Sequence, residues 1–226
     1  MEQEPAVHPS SEINNQALAK SAMETEANKG FRLRLSRTLS SFKGPISCVR
    51  YAPNGSLLAV SSADRSISIF ETANYSLKFI LEGHEKGVNY IAWSPDSKYL
   101  ASCSDDKTAR IWNSETGSLV RIFNTFSQFP TCIAYNPRGT IIACSCSDET
   151  IYFFSVYTRN LEKSIFAHSN TISSIEFNAS GSELLSSSID GFSRIWDCES
   201  GDCLQSIRSS TSNSPMYLQF PRFHIA

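Results

Sequence analysis

The 226-residue sequence holds no apolar run near the ~18 residues that a membrane-spanning helix requires. Its first thirty residues have neither a basic start nor an apolar stretch, so no secretory signal is legible in them. There is no Cys-x-x-Cys, no G-x-x-x-x-G-K-[ST], no G-x-G-x-x-G and no G-x-S-x-G among the ten glycines, which removes the usual signatures of zinc, nucleotide and hydrolase chemistry. Excess positive charge is missing too. Twenty Lys and Arg against 22 Asp and Glu leave a formal charge of −2, which argues against a nucleic-acid binder working through bulk charge. The seven cysteines are odd in number and lack framework spacing, and they are expected to be reduced thiols of an intracellular chain. Cys144 and Cys146 fall on one face of a strand and are read as packed thiols, so neither a metal nor a cofactor is expected.

What remains is a chain that is 41% hydrophobic and 19% charged, enough to build a sizeable core. Residues 1–30 are the exception. They are polar, aperiodic and rich in Glu, Asn, Gln and Ser, and are expected to form a disordered tail because they cannot bury enough surface to offset ordering entropy. After them the sequence repeats. Asp64, Asp106, Asp148 and Asp190 are spaced 42 residues apart, and Phe70, Trp112, Phe154 and Trp196 keep that step. So do Tyr51, Trp93, Tyr135 and Phe177. A period near ~40–45 residues marks a four-stranded propeller blade. Within one copy, VNYIAW, YLASCS, TARIW and LVRIF are strand-length runs broken by SPDS, by Asp105-Asp106 and by NSETGS, as an all-β meander requires. The turn SPDS is matched by APNG, NPRG and NASG in the other copies.

Gly83-His84, Asp106 and Ile111-Trp112 in the second copy, with Ala167-His168, Asp190 and Ile195-Trp196-Asp197 in the fourth, resemble WD-repeat (WD40) propellers over about residues 34–220. The stretches LKFILEGH, SDDKTARIW and SSSIDGFSRIWDCESGDCL look most similar to the WD-repeat scaffold of COMPASS/MLL-type histone lysine methyltransferase complexes. The implied fold is all-β: a propeller arc over 31–220 with blades at about 42–82, 83–124, 125–166 and 167–208, a partial fifth at 209–220 and a non-repeat end at 221–226. Stepping back 42 residues from the outermost strand places a further such strand at 34–39, and PMYLQF (215–220) reads as the first strand of a fifth copy. Orphan strands at both ends suggest truncation from the seven-bladed ring that the family implies, the alternative being a closed ring of four or five blades.

Two sets of residues are candidates for function. His84, Ser102, Asp106 and Trp112, and again His168, Ser186, Asp190 and Trp196, have the composition of a nucleophilic triad. The resemblance implies instead a buried hydrogen-bond chain inside each blade, and recurrence suits architecture better than a single active site. Copies one and three carry Phe42 and Phe126 in the His column and Val60 and Cys144 in the Ser column, so both polar partners are lost together. Asp64 and Asp148 remain and are expected to accept turn backbone N–H groups. The second set is the channel mouth, where the resemblance implies that a partner's arginine is accepted between aromatic rings. Ala63, Asn89, Asp105, Phe129, Thr131, Ser147 and Ile189 take that place here. Thr131 and Ser147 stand where the relative has phenylalanines, which removes those cation–π faces. Phe129 is a substitute, and Asp105 is either a counter-charge for a cationic ligand or a solvated turn acid. The resemblance thus implies a non-catalytic, nuclear scaffold binding other subunits or basic histone-tail peptides, with no direct contact to nucleic acid or membrane. Alternatives are a cytoplasmic location, a substrate adaptor of a ubiquitin ligase, or a truncated isoform without independent function.

Overall fold

The computed structural model describes residues 34–40 and 42–208. Residues 42–208 form sixteen strands in four antiparallel sheets. Blade I comprises β1 (Ile46–Tyr51), β2 (Leu57–Ser62), β3 (Ile67–Glu71) and β4 (Leu77–Leu81). Blade II comprises β5 (Val88–Trp93), β6 (Tyr99–Ser104), β7 (Ala109–Asn113) and β8 (Leu119–Phe123). β9 (Pro130–Tyr135), β10 (Ile141–Cys146), β11 (Thr150–Ser155) and β12 (Leu161–Phe166) form blade III. β13 (Ile172–Phe177), β14 (Glu183–Ser188), β15 (Phe192–Asp197) and β16 (Cys203–Arg208) form blade IV. In each sheet neighbours in sequence are neighbours in space, so every blade is a four-stranded meander.

The core lies between blades. One cluster joins Leu57, Ala59, Ile67, Ile69 and Leu81 of blade I to Val88, Ile91, Trp93, Leu100 and Trp112 of blade II. Corresponding clusters join II to III and III to IV. Both faces of a middle strand in blades II and III are therefore covered, which is why β6 and β10 are each buried at five of six positions and do not alternate. Among the described residues, no comparably packed strand pair joins blade IV back to blade I.

Turns repeat as closely as strands do. The three turns of each blade place a residue at positive φ in the same columns: 55, 97, 139 and 181; 65, 107, 149 and 191; 75, 117, 159 and 201. Glycine fills half of these twelve positions; Arg65, Tyr75, Ser97, Lys107, Glu149 and Arg159 fill the rest. A side chain in the left-handed region costs roughly 1–2 kcal/mol, so the surrounding hydrogen bonds, not local preference, hold these six.

One expectation fails. Residues 34–39 form no strand; the segment 34–40 has no regular structure, and Leu35 is 82% exposed. An outermost strand exists only by pairing with the third strand of a blade, and β3, β7, β11 and β15 are each already paired with their own fourth strand. The expected polar tail at 1–30, the partial fifth copy at 209–220 and the end at 221–226 lie outside the described residues.

Replacing exposed Arg159 (φ 66°) by glycine should stabilise the chain by about 0.5 kcal/mol, the relief of left-handed strain less the entropy gained by the unfolded chain. Denaturant titration measures this, and a loss of stability would mean that the turn is not strained.

Candidate functional site

In blade II the loop before β5 carries His84, β6 carries Ser102, the β6–β7 turn carries Asp106 and β7 carries Trp112. His84 Nδ1 lies 2.8 Å from Asp106 Oδ2 and its Nε2 lies 2.8 Å from Ser102 Oγ. Trp112 Nε1–H donates to the same Ser102 Oγ at 2.8 Å. Blade IV repeats the chain with His168 2.9 Å from Asp190 and 2.7 Å from Ser186, and Trp196 2.8 Å from Ser186. Each aspartate also has an arginine four residues on, Arg110 at 3.6 Å and Arg194 at 3.1 Å. Burial alone would raise the Asp106 carboxyl. Hydrogen bonds from His84, Thr108 and the Glu85 backbone N–H outweigh it and hold Asp106 well below the ordinary carboxylate range. The same competition, with the Phe192 and Ser169 backbone N–H groups foremost, holds Asp190 at about 2. His168 is lowered, mainly because burial disfavours its charged form.

These contacts have the order of a triad but not its access. Ser102 and Ser186 are fully buried, and each oxygen already accepts an indole N–H. A nucleophile needs an open approach and a free lone pair; here the hydroxyl is a cross-link between strands. Blades I and III solve the same packing problem with rings. Phe42 meets Phe70 at 6.1 Å and Phe126 meets Phe154 at 5.3 Å, over buried Val60 and Cys144. Asp64 accepts the backbone N–H groups of Lys43 and Ser66, both at 3.0 Å. Asp148 accepts the Thr150 N–H at 3.2 Å, the Tyr152 hydroxyl at 2.7 Å and the Ser127 hydroxyl. Tyr152 occupies the column of Arg110 and Arg194 and so takes over their contact; that column contained the signal, and the sequence reading did not use it.

The inner rim is built on a β-bulge at the same column of all four inner strands. Ser47, Asn89, Thr131 and Ser173 are each the unpaired extra residue opposite β2, β6, β10 and β14. A bulge turns its side chain out of the pleat, and in three blades the polar group reaches the next inner strand. Ser47 Oγ donates to Val88 O at 2.5 Å, Asn89 Nδ2 to Pro130 O at 2.9 Å and Thr131 Oγ1 to Ile172 O at 3.0 Å. Ser47 and Ser173 were absent from the sequence-based candidates, although all four copies carry Ser, Thr or Asn in this column.

Above the bulges, Ala63, Asp105, Ser147 and Ile189 form a second set. Their backbone N–H groups donate to the carbonyls of Pro45, Gly87, Phe129 and Thr171 at 2.9–3.1 Å. Ala63, Asp105 and Ile189 are exposed and Ser147 is half-buried. The structure therefore separates the expected mouth residues into roles. Asn89 and Thr131 link blades. Ala63, Asp105, Ser147 and Ile189 head the second turn of each blade, and Phe129, 40% exposed, precedes β9. Asn89 Nδ2 also donates to Asp105 Oδ1 at 2.8 Å, so one amide fixes the carboxylate and the neighbouring Phe129-Pro130 backbone together. Asp105 is the only acid in its column.

The family described as "WDR90, 4th beta-propeller" matches residues 85–219, and that described as "WD domain, G-beta repeat" matches residues 34–71. The chain belongs to the WD-repeat β-propeller family. No curated protein matches it. WD-repeat propellers are generally non-catalytic scaffolds that bind proteins or peptides. In this WD-repeat chain, Cys144 and Cys146 are fully buried, and burial pushes the Cys146 thiol up to about 11. Among the described residues, no group of three His, Cys, Asp or Glu could hold a metal ion.

Ser102→Ala leaves the Trp112 N–H and His84 Nε2 unpaired and should cost about 1–3 kcal/mol. The combined change His84→Phe, Ser102→Cys and Trp112→Phe, which copies the blade III arrangement, should cost less than that single change. Chemical denaturation compares them, and a triple variant weaker than Ser102→Ala would refute the idea that the two arrangements are interchangeable.

Acid should act on blade IV in two stages. His168 is lowered from 6.5, so the unfolded chain takes up that proton first and stability starts to fall as pH drops below 6.5. Asp190 is lowered from 3.8 to about 2, so its stabilisation is complete above about pH 4 and is lost between there and about 2. Unfolding midpoints across pH should show both stages, and replacing His168, Ser186 and Trp196 by Phe, Cys and Phe should abolish the first.

Proposed function

We propose that the chain is a non-catalytic scaffold that gathers proteins around its loop rim, and that the rim holds a basic peptide segment. The observation that carries this is the Asn89–Asp105–Pro130 arrangement. An exposed carboxylate is held by an amide that also bonds the backbone carbonyl of Pro130, next in sequence to the exposed Phe129, in a rim column with no other acid. A held carboxylate with an exposed aromatic residue on the same rim favours a Lys or Arg side chain, through charge and through the ring face. Thr131 has no part in the contact, since its hydroxyl is engaged with Ile172 O. The cationic group therefore rests on one ring rather than between two.

The wording of the repeats supports the finer reading that the assembly is a nuclear histone methyltransferase complex and that the peptide is a histone tail. A ubiquitin-ligase adaptor would use the same rim without that charge preference.

Calorimetry with a Lys/Arg-rich histone-tail peptide tests the rim. Asp105→Asn should weaken binding about fivefold, the ~1 kcal/mol expected of an exposed charge contact. Stability should be unaffected, because Asp106 and not Asp105 bonds His84. No binding by the parent chain would remove the peptide reading. Affinity purification with mass spectrometry tests the assembly: methyltransferase subunits support it, and cullin linkers in their place contradict it.

A further inference from the structure

The 42-residue step lets the three internal junctions serve as controls for one another. Between blades II and III, Arg121 Nη1 of β8 donates to Tyr157 O at 2.8 Å. Between blades III and IV, Lys163 Nζ of β12 donates to Cys198 O and Glu199 O, both at 2.7 Å. In both, a cation from the outermost strand of one blade caps carbonyls in the third turn of the next. Between blades I and II that column holds Phe79 of β4. Its ring packs on Gly117, where a Cβ would lie 2.9 Å from Cδ1. Lys163 stands over the matching glycine, its Nζ 3.9 Å from the Cβ position of Gly201. The ring has taken the cation's place without its chemistry. Ser114 and Glu115 stand in the columns of Cys198 and Glu199. Among the described residues no donor bonds the carbonyl of either.

Ser114 and Glu115 line a cleft of about 540 Å³ between blades I and II. The cleft is built from the first and third turns of the two blades. In an antiparallel meander these turns lie at the end opposite the second turns, and so opposite the loop rim. The volume suits a small ligand or an inserted side chain. Leu57, Ser97 and Ser114 are buried in its wall. Carboxylates outnumber ammonium groups, since Glu71, Asp96 and Glu115 share the lining with Lys78 and Lys98. Asp96 Oδ1 is engaged, accepting the Ser94 hydroxyl at 2.6 Å and the Lys98 N–H at 3.1 Å. Lys78 Nζ lies 5.6 Å from the centre of the Phe79 ring. Glu71 and Glu115 form no ion pair among the described residues.

We propose that this cleft binds an alkyl cation from outside the chain, an ammonium or guanidinium group that caps the carbonyls of Ser114 and Glu115 as Lys163 caps those of Cys198 and Glu199. Carbonyl oxygens only accept, and the nearby carboxylates are anionic. Such a lining selects a group that only donates and carries positive charge, which describes Lys, Arg and polyamines. The cation is brought either by a basic side chain of a partner protein or by a free polyamine. The cleft and the loop rim lie at opposite ends of the blades, so failure of either reading leaves the other standing.

The test is a nuclear magnetic resonance titration of the isotopically labelled full chain, read at the amides of Glu115 and Thr116. Their N–H groups share peptide units with the two carbonyls and report hydrogen bonding there. The probes are the methylamide of acetyl-lysine, its uncharged norleucine analogue, and putrescine. The expected result is a saturable shift of both amides with the two cationic probes and none with the norleucine analogue. Tighter binding of the lysine probe assigns the cation to a partner's side chain, and tighter binding of putrescine to a free polyamine. Glu115→Gln, an exposed change, should weaken binding about threefold, whereas Asp105→Asn at the rim should leave it unchanged. Phe79→Lys, which supplies the cation from within the chain, should abolish both shifts. The proposal is overturned by absence of shifts, by equal shifts with the norleucine analogue, or by binding that neither Glu115→Gln nor Phe79→Lys reduces. Binding that appears only after Lys78→Gln would also overturn it, because the chain's own ammonium would then fill the cleft.

Discussion

The structure depends on one junction used three times. A blade is only a four-stranded sheet, and an isolated sheet of that size leaves both faces wet. Each blade becomes a core only when the next one covers it, so the geometry between blades has to repeat as closely as the blades do. The inner bulge enforces this. One extra residue per inner strand, always at the same column, turns a Ser, Asn or Thr out of the pleat toward a carbonyl of the following blade. The contact is short and directional, and it fixes the angle at which apolar side chains farther out can interdigitate. At the outer edge the corresponding column is free to vary between Phe79, Arg121 and Lys163, because by then the angle is already set.

The blades differ in how they lock their own strands. Blades II and IV use a hydrogen-bond chain and blades I and III use rings, and no blade keeps half of either device. This follows from the asymmetry of buried hydrogen bonds. A satisfied pair contributes modestly, whereas a lone buried donor or acceptor costs its full desolvation. His and Ser can therefore be lost only together, with the indole exchanged for a ring that has no N–H. Blade III goes further, since Asp148 keeps its place and recruits Tyr152 and Ser127 where its counterparts have histidine and arginine.

Much of this was legible in the sequence. The Asp and aromatic columns give the period, the turn residues give the strand count, and the columns of His84 and Ser102 give the two kinds of blade. Other features were not. A bulge is a mismatch of register between two strands, and a sequence shows only one strand at a time; Ser47 and Ser173 look like ordinary strand residues. The same blindness produced the expected strand at 34–39. Leu35 and Leu39 fit the outermost-strand pattern, but a strand is defined by its hydrogen-bonded neighbour, which no column reports. Asn89 was read as part of a ligand mouth because its position is right, and the structure gives it a second task holding blades together.

The alternation of locking devices has a thermal meaning. Contacts between rings derive their strength from water's aversion to apolar surface, which fades on cooling. The hydrogen-bond chains of blades II and IV draw instead on charge and proton affinity, and they fail when protons become abundant. An arc assembled from both kinds has no single weakest condition. Acid bears hardest on the even blades, where a histidine and an aspartate bond each other, but it also reaches Asp64 and Asp148 of the odd blades, whose carboxyls are lowered by their own hydrogen bonds.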